Sequence, residues 1–588
     1  MFYAYTIKSI SWSLSTLLQA FKTLVEQDMI PMKLCLFIDG LDEYSGLPGD
    51  LAKLFETTTH ATNVKACVSS RPYVVFKERF AKQPQLRLED LTQGDIQQYV
   101  LDMIEKDQWI QNHSIDDQKQ LDQLISEIVN SAAGVFLWVK LIVMDLKRGL
   151  ENHDRISQLQ QRLKMLPTDL KELYEHMVIR VDEIYKVEAS RFFQLIAAAL
   201  DRKDDWRTVQ PLTIQTLALA EDDDPDFVFK ADSEFLSAYN IQSRIEELDV
   251  RLRKCCGGLL ETQFGKSSLR VVTPTMKVSY IHRTVKDYLD DPETGIRNVL
   301  LHRTGGLSAD SFNPHIALQK AYILELKALE SVPKNAVAAQ VLVDNIVTFA
   351  RRAEGDLCVS NVDLMDELLR SANKWWQSAE GKHFLPPGQT IISLAIQCGM
   401  HQLLQAKLQA ETRGIEDLDE LHGRPLLDYA VNPAEAFQPF TPRLLASVSR
   451  QTVMVLLEHG ANPNKAWKNS KGILQSPWQN ALTYLISKPY NILGNKDKED
   501  LLIRWAGVLM ALMQYRANVG ADCVGQRKAL FDDNGAPVLN EDGKRMFKET
   551  TSNAKMVVDE VFNGFSKHKA VEALSSNLAV RLKSTAHS

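Results

Sequence analysis

Three carboxylates stand where a run of apolar residues stops. In LCLFIDGLDEYSG, Leu34 to Gly46, Asp39 ends the run, Gly40 follows, and Asp42 and Glu43 come next. In open parallel sheets, ligands bind beyond the carboxyl ends of the strands, where such an acid would emerge. Oxygen donors at that place suit a hydrated Mg2+ ion, which prefers oxygen ligands and often sits on nucleotide phosphates. Asp39 therefore reads as a nucleotide-binding residue that would hold Mg2+ through water. Asp42 and Glu43 read as catalytic candidates, placed for a second metal contact or for polarising a water. Gly40 would let the chain turn tightly. The plainer alternative is a strand end followed by an acidic helix cap.

A second apolar run ends in CVSSRP, Cys67 to Pro72. If its strand neighbours the first, Arg71 lies beside the Asp39 edge. A guanidinium there could read a terminal phosphate through its planar fork. The alternative is an arginine that holds a surface loop.

These side chains need elements to position them. Residues 11–30 read as an amphipathic helix, with Leu14, Leu17, Leu18, Phe21 and Val25 on one side. KLCLFI, 33–38, predicts a strand buried on both faces, as in a parallel sheet. GDLAKLFETTT is the crossover helix, NVKACVSS at 63–70 the next strand, and 74–82 a helical piece. QLRLEDL reads as a third short strand. Thr92 and Asp95 in LTQGDIQQYVLDMI form a variant capping box that opens a helix. Strands alternating with helices give the doubly wound α/β signature.

From about 96 to 200 the helical period dominates, with Pro167 where a new helix begins. CCGGLLETQ, LRVVT and KVSYIHRTVKDYLDDPE read as short strands leading into a helix, a winged-helix-like order. Residues 315–380 are helical again. In the last third, GQTIISLAIQCGM resembles GRPLLDYAVNP, and VLMALMQYRANV echoes QTVMVLLEHGANPN. Helix–helix–turn units of this kind stack because one pair cannot bury its apolar face alone. Beyond 540 the sequence is polar and shows no repeat.

The bulk composition excludes some classes. A net charge of −7 over 588 residues gives no prior for a nucleic-acid partner, which would usually show a basic stripe, so none is expected. Seven cysteines, an odd count without CxxC or zinc spacing, fit a reducing, cytoplasmic setting. No run of eighteen apolar residues exists, so no membrane span is expected. Nothing defensible supports a Ser/His/Asp or Cys/His nucleophile.

LCLFIDGLDEYSG, VSSRP and LEDLTQGDIQQYV together resemble the second half of a NACHT domain, of the STAND class of signalling NTPases, in its fungal NOD-like-receptor form. AAGVFLWVKLIV and LPTDLKELYEHM resemble the helical segment that follows that core. The resemblance implies that Asp39, Asp42 and Glu43 are the extended Walker B acids, that Arg71 is the sensor 1 arginine, and that Mg2+ with ATP/ADP or GTP is the cofactor. YIHRTVKDYL is similar to the family's winged-helix motif, which implies that His282 contacts the phosphate of bound ADP in a closed state. A histidine satisfied at a helix start is the alternative for His282. LLEHGANPN resembles a degenerate ankyrin unit, which implies a protein-binding surface; self-association is a further expectation.

One departure stands out. The chain contains no GxxxxGK[ST] phosphate loop. FGKSS at 264–268 is the nearest decoy, but Leu260 stands where the first glycine is required. Only 33 residues precede Leu34. The expectation is an N-terminally truncated relative with impaired NTP hydrolysis, or else a non-catalytic interaction scaffold derived from such a protein.

The expected fold is multi-domain, α/β plus α, with an incomplete P-loop-NTPase-type parallel sheet, helical and winged-helix-like domains, and a helical repeat region. The expected domains are a partial nucleotide-binding domain at 1–100, a helical domain at 101–200, a winged-helix-like domain at 201–300, a helical connector at 301–380, degenerate ankyrin-like repeats at 381–540 and a polar tail at 541–588. A sheet missing strands exposes apolar edges, and the helix within 1–30 is expected to cover part of them.

Overall fold

The computed structural model describes residues 14–27, 29–44, 46–71, 73–104, 115–201, 212–221, 224–231, 236, 238–263, 271–291, 312–329, 336–357, 362–380, 390–432, 448–468, 472–487, 495–529, 547–562 and 569–585. The decoy at 264–268 and residues 301–311 of the expected connector lie outside them. The described chain is mostly helical, with four two-stranded sheets among the described residues. It divides into two compact units. One comprises Met1–Leu101, Ala133–Phe136 and Pro489–Leu501; the other comprises Asp102–Ala132, Leu137–Lys488 and Leu502–Ser588.

The first unit is built on a strand–helix–strand crossover. β1 (Leu34–Ile38) pairs in parallel with β2 (Val64–Val68), Leu34 opposite Val64 and Ile38 opposite Val68. Two parallel strands need a long connection, and the helix Pro48–Thr58 supplies it, with Pro48 at its first turn. One face of the pair packs on a small core of Leu41, Ala52, Phe55 and Phe76, flanked by Leu36, Ile38, Leu51, Val68, Val75 and Phe80. Phe76 and Phe80 stack at 6.3 Å along the helix Val74–Arg79. Arg79 reaches Glu56 at 2.9 Å and ties that helix to the crossover helix.

The strand expected to be buried on both faces is half-buried. Leu36 and Ile38 turn toward the core, whereas Cys35 is exposed and Phe37 is 80% exposed. The period of two puts alternate residues on opposite faces, and the packing helices lie on one. The helix Leu14–Glu26 lines an apolar groove of about 220 Å³ with the core side, Leu17, Leu18 and Phe21 facing Leu36, Ile38, Leu54 and Phe55, while Leu17 and Leu18 stay exposed.

The third strand does not form. QLRLEDL runs instead into the helix Leu88–Ile104, whose Ile96, Val100 and Ile104 are buried at a spacing of four. That spacing suits a helix and not a strand, so the parallel sheet has two strands, and no P-loop sheet is formed, among the described residues. Thr92 consequently lies inside the helix and does not cap it; its hydroxyl donates to the Gly134 carbonyl at 3.2 Å.

The second unit is helical, interrupted by short antiparallel pairs. The pair Leu260–Thr262 with Val278–Tyr280 leads into the helix Arg283–Asp290, and Thr213 bridges to Lys277. Toward the C-terminus, a helix–helix–turn–hairpin unit recurs. The helix Arg450–Glu458 ends at Gly460 with φ 97°, and Ala461 N–H donates back to the Leu456 carbonyl at 3.0 Å. The helix Asn495–Gln514 ends at Arg516 with φ 65°, and Ala517 N–H donates to the Leu512 carbonyl at 3.1 Å. Asn462 and Asn518 then bend the loop by the same side-chain bond, to Asn464 N–H at 2.9 Å and Gly520 N–H at 3.2 Å. Asn464 joins the two turns: it donates to the Arg516 carbonyl at 2.9 Å and accepts from Asn518 N–H at 2.7 Å.

Each turn is followed by an antiparallel pair, Trp467–Lys468 with Leu474–Gln475, then Cys523–Ala529 with Phe547–Ser552. The stretch expected as a polar tail therefore continues the pattern, with the helices Ala554–Val561 and Lys569–Thr585; Val557, Phe562, Val571, Leu574 and Leu578 are buried. Its few apolar residues fall at helical spacing, which its polar average conceals.

The two turns differ in backbone cost. Gly460 adopts the left-handed region freely, and a Cβ there meets open space; Arg516 adopts it against Cβ sterics. Gly460→Ala is expected to lower stability by about 1 kcal/mol, and Arg516→Gly to raise it by about 0.5 kcal/mol. Thermal unfolding of the two variants reads this, and a reversed order contradicts the turn assignment.

Candidate functional site

The register of β1 and β2 decides what meets at their carboxyl ends. Asp39 follows Ile38 and Ser69 follows Val68, so the two emerge side by side. The ladder continues one residue further: Ser69 N–H donates to the Ile38 carbonyl and Leu41 N–H to the Ser69 carbonyl, both at 2.9 Å. The Ser69 hydroxyl donates to Asp39 Oδ1 and accepts from Gly40 N–H at 3.0 Å.

Gly40 then turns the chain with φ 72° and ψ 53°, into a single helical turn over Leu41–Glu43. Leu41, 2% exposed, anchors that turn in the core. A Cβ on Gly40 would lie 2.8 Å from Glu43 Oε1, so the Glu43 side chain folds back over the glycine. Asp42 points toward the neighbouring strand end. Its Oδ1 accepts from Arg71 N–H at 3.0 Å, and its Oδ2 lies 3.2 Å from Arg71 Nε. The Asp42 side chain is 5% exposed and that of Arg71 42% exposed.

The structure thus brings Asp39, Asp42, Glu43 and Arg71 to one end of the sheet, but in unequal situations. Asp42 is a buried carboxylate with both oxygens on Arg71. It fixes the arginine's backbone and side chain at once, and it does not fit a metal contact. Asp39 is exposed and shares one oxygen with Ser69, which leaves a carboxylate suited to one water-mediated Mg2+ contact. No group of three or more His, Cys, Asp or Glu among the described residues could hold a metal directly. Sequence reasoning missed Ser69; its place one residue beyond β2, opposite Asp39 in the register, is the signal that could have found it.

His282 belongs to the other unit. It is the N-cap of the helix Arg283–Asp290, with Nδ1 accepting from Thr284 N–H at 3.3 Å. The helix-start reading of His282 therefore describes its position, and its ring is exposed there.

Residues 180–336 match a family described as a domain of unknown function, DUF7791, a domain found in fungal NACHT-associated proteins. No curated protein and no solved structure matches the chain. Among the described residues, no helix is long and apolar enough to cross a membrane.

Within the matched stretch two carboxyls sit in desolvated places. Burial pushes Glu221 up to about 7, opposed by Arg251, whose Nη1 lies 2.7 Å away. Burial likewise pushes Glu325 up to about 7, opposed by the Thr216 hydroxyl at 2.5 Å. The folded chain thus holds these protons at pH values where the unfolded chain, with carboxyls near 4.5, has released them. The stability they contribute is fully present below about pH 4.5 and is lost as pH rises through about 7. Glu325→Gln keeps an acceptor for Thr216 and removes one titration. Its Tm is expected to fall less steeply than the wild type's between about pH 5 and 8; parallel curves contradict the burial argument.

Proposed function

We propose that this chain is a NACHT/STAND-type regulatory signalling protein, a nucleotide-dependent switch whose C-terminal repeats bind protein. The observation that carries the reading is the delivery of Asp39 and Arg71 to one sheet end by adjacent parallel strands, with Asp42 between them. The match of residues 180–336 to a domain of NACHT-associated proteins supports it.

In this reading ATP/ADP or GTP binds with Mg2+, which would neutralise phosphate charge when bound. Asp39, oriented by Ser69, holds the hydrated ion. Arg71, oriented by Asp42, meets the terminal phosphate, and Glu43 polarises water. His282 meets a phosphate in the closed state, and the protein works in the cytoplasm. Because residues 1–588 contain no GxxxxGK[ST] loop, turnover by this polypeptide alone is expected to be impaired. The commitment of Asp42 to Arg71 favours a second reading: a non-catalytic protein-interaction scaffold of NACHT descent.

Titration calorimetry of the full chain with Mg2+-ADP separates the two. The switch reading expects binding that Asp39→Ala weakens about 10-fold or more. Binding that Asp39→Ala leaves unchanged contradicts it, and no binding at all favours the scaffold. Nucleotide turnover that Glu43→Gln abolishes rules the scaffold out.

A further inference from the structure

Two helices at and beyond the end of the matched stretch, Ala336–Leu357 and Val362–Glu380, carry charged side chains that reach in two directions. On the first, Arg352 and Glu354 stand two residues apart, about 200° around the helix axis. Arg352 Nη1 donates to the Ala198 carbonyl at 3.0 Å and Nη2 to the Asp201 carbonyl at 2.7 Å, at the C-terminal end of the helix Lys186–Leu200. Glu354 reaches a different element. Its Oε1 accepts from Gln402 N–H at 2.6 Å and its Oε2 from Leu403 N–H at 3.4 Å, at the start of the helix His401–Ala410. The N-cap position of that helix holds Met400, which has no side-chain oxygen to cap it, so Glu354 supplies the cap from another helix. Both contacts put charge where a helix end favours it: a cation on C-terminal carbonyls and an anion on N-terminal N–H groups.

The second helix repeats the device with neighbouring residues. Glu367 Oε1 lies 2.7 Å from Lys327 Nζ, and both residues are buried. Lys327 Nζ also donates to the Val228 and Ala231 carbonyls, at 2.7 and 3.1 Å. Asp366 takes Lys407 of the helix His401–Ala410 on both oxygens, at 2.7 and 2.8 Å. Arg352 and Glu367 thus hold groups within residues 180–336, while Glu354 and Asp366 hold one helix beyond them. That helix in turn packs on Arg450–Glu458, which leads into the first of the recurring turns. Hydrogen bonds weaken steeply as their angles open, so contacts on both sides of two helices fix orientation as well as distance.

We infer that the helices Ala336–Leu357 and Val362–Glu380 form a two-sided clasp that joins the C-terminal stack to the matched domain as one body, so that a displacement of the stack by a bound protein is passed to that domain. Domains of one chain are otherwise expected to move relative to one another. The clasp does not depend on the nucleotide reading.

The test measures distances between spin labels at Val250 of the matched domain and Leu421 of the stack, both exposed, in the full chain. Labels carried by encoded noncanonical amino acids leave the seven cysteines untouched. The wild type is expected to give a single narrow distribution. Glu354→Gln combined with Asp366→Asn keeps the side-chain shapes but removes both stack-side charges, and is expected to broaden the distribution about twofold or more. Asp366→Lys alone is expected to broaden it as well. Asp366→Lys combined with Lys407→Asp is expected to restore the narrow distribution, a rescue that a chain damaged in folding would not show. A broad distribution in the wild type overturns the inference. So does a narrow one in both the neutral double variant and Asp366→Lys, or a charge swap no narrower than Asp366→Lys.

Discussion

Two five-residue strands lie in parallel register, and the ends of that register decide what meets what. With Ile38 opposite Val68, Asp39 falls beside Ser69, and the turn after Gly40 carries Asp42 to Arg71. A slip of one residue would turn Leu36 and Ile38 away from the core and bring Cys35 and Phe37 toward it. The core of Leu41, Ala52, Phe55 and Phe76 thus fixes the site as well as the fold. Burial of Leu41 matters twice, because the same side chain that packs inward sets the turn that aims Asp42.

Much of this arrangement was legible in the residues. An apolar run closed by an acid gave β1 and Asp39, and a second run closed by Ser-Ser-Arg gave β2 and Arg71. What the runs could not reveal was how many faces are covered: Phe37 belongs to an apolar stretch yet stands exposed. Nor could they reveal that Asp42 is committed to Arg71. An acid written beside other acids looks like a ligand set, and only the register shows that its partner is a cation on the next strand. QLRLEDL failed as a strand because the spacing of Ile96, Val100 and Ile104 drew the segment into a helix. The polar stretch beyond 540 failed as a tail for the same reason, since a helix needs only one apolar face.

The C-terminal turns show the same economy of means. The left-handed residue, the buried alanine and the asparagine bond recur at 460–464 and 516–520, and the Asn464 amide links one turn to the next. Deeper in the stack, Asp428 is wholly buried, taking Arg424 Nε at 2.7 Å and the Asn480 amide at 2.8 Å. The Arg424 guanidinium lies over the Tyr429 ring at 4.3 Å. Removing one member would leave a charge buried without its partner, which is far costlier than never having had the pair. Such contacts tie the helix Leu426–Val431 to the helix Pro477–Ser487.

The central claim is that the ends of β1 and β2 face each other through Asp42 and Arg71. A double-mutant cycle measures this directly: native-state hydrogen exchange of the β1 and β2 amides in the wild type, Asp42→Ala, Arg71→Ala and the double variant. The account predicts a coupling of about 0.5–3 kcal/mol between the two positions. Effects that simply add, within about 0.3 kcal/mol, would mean that the two side chains do not share a site.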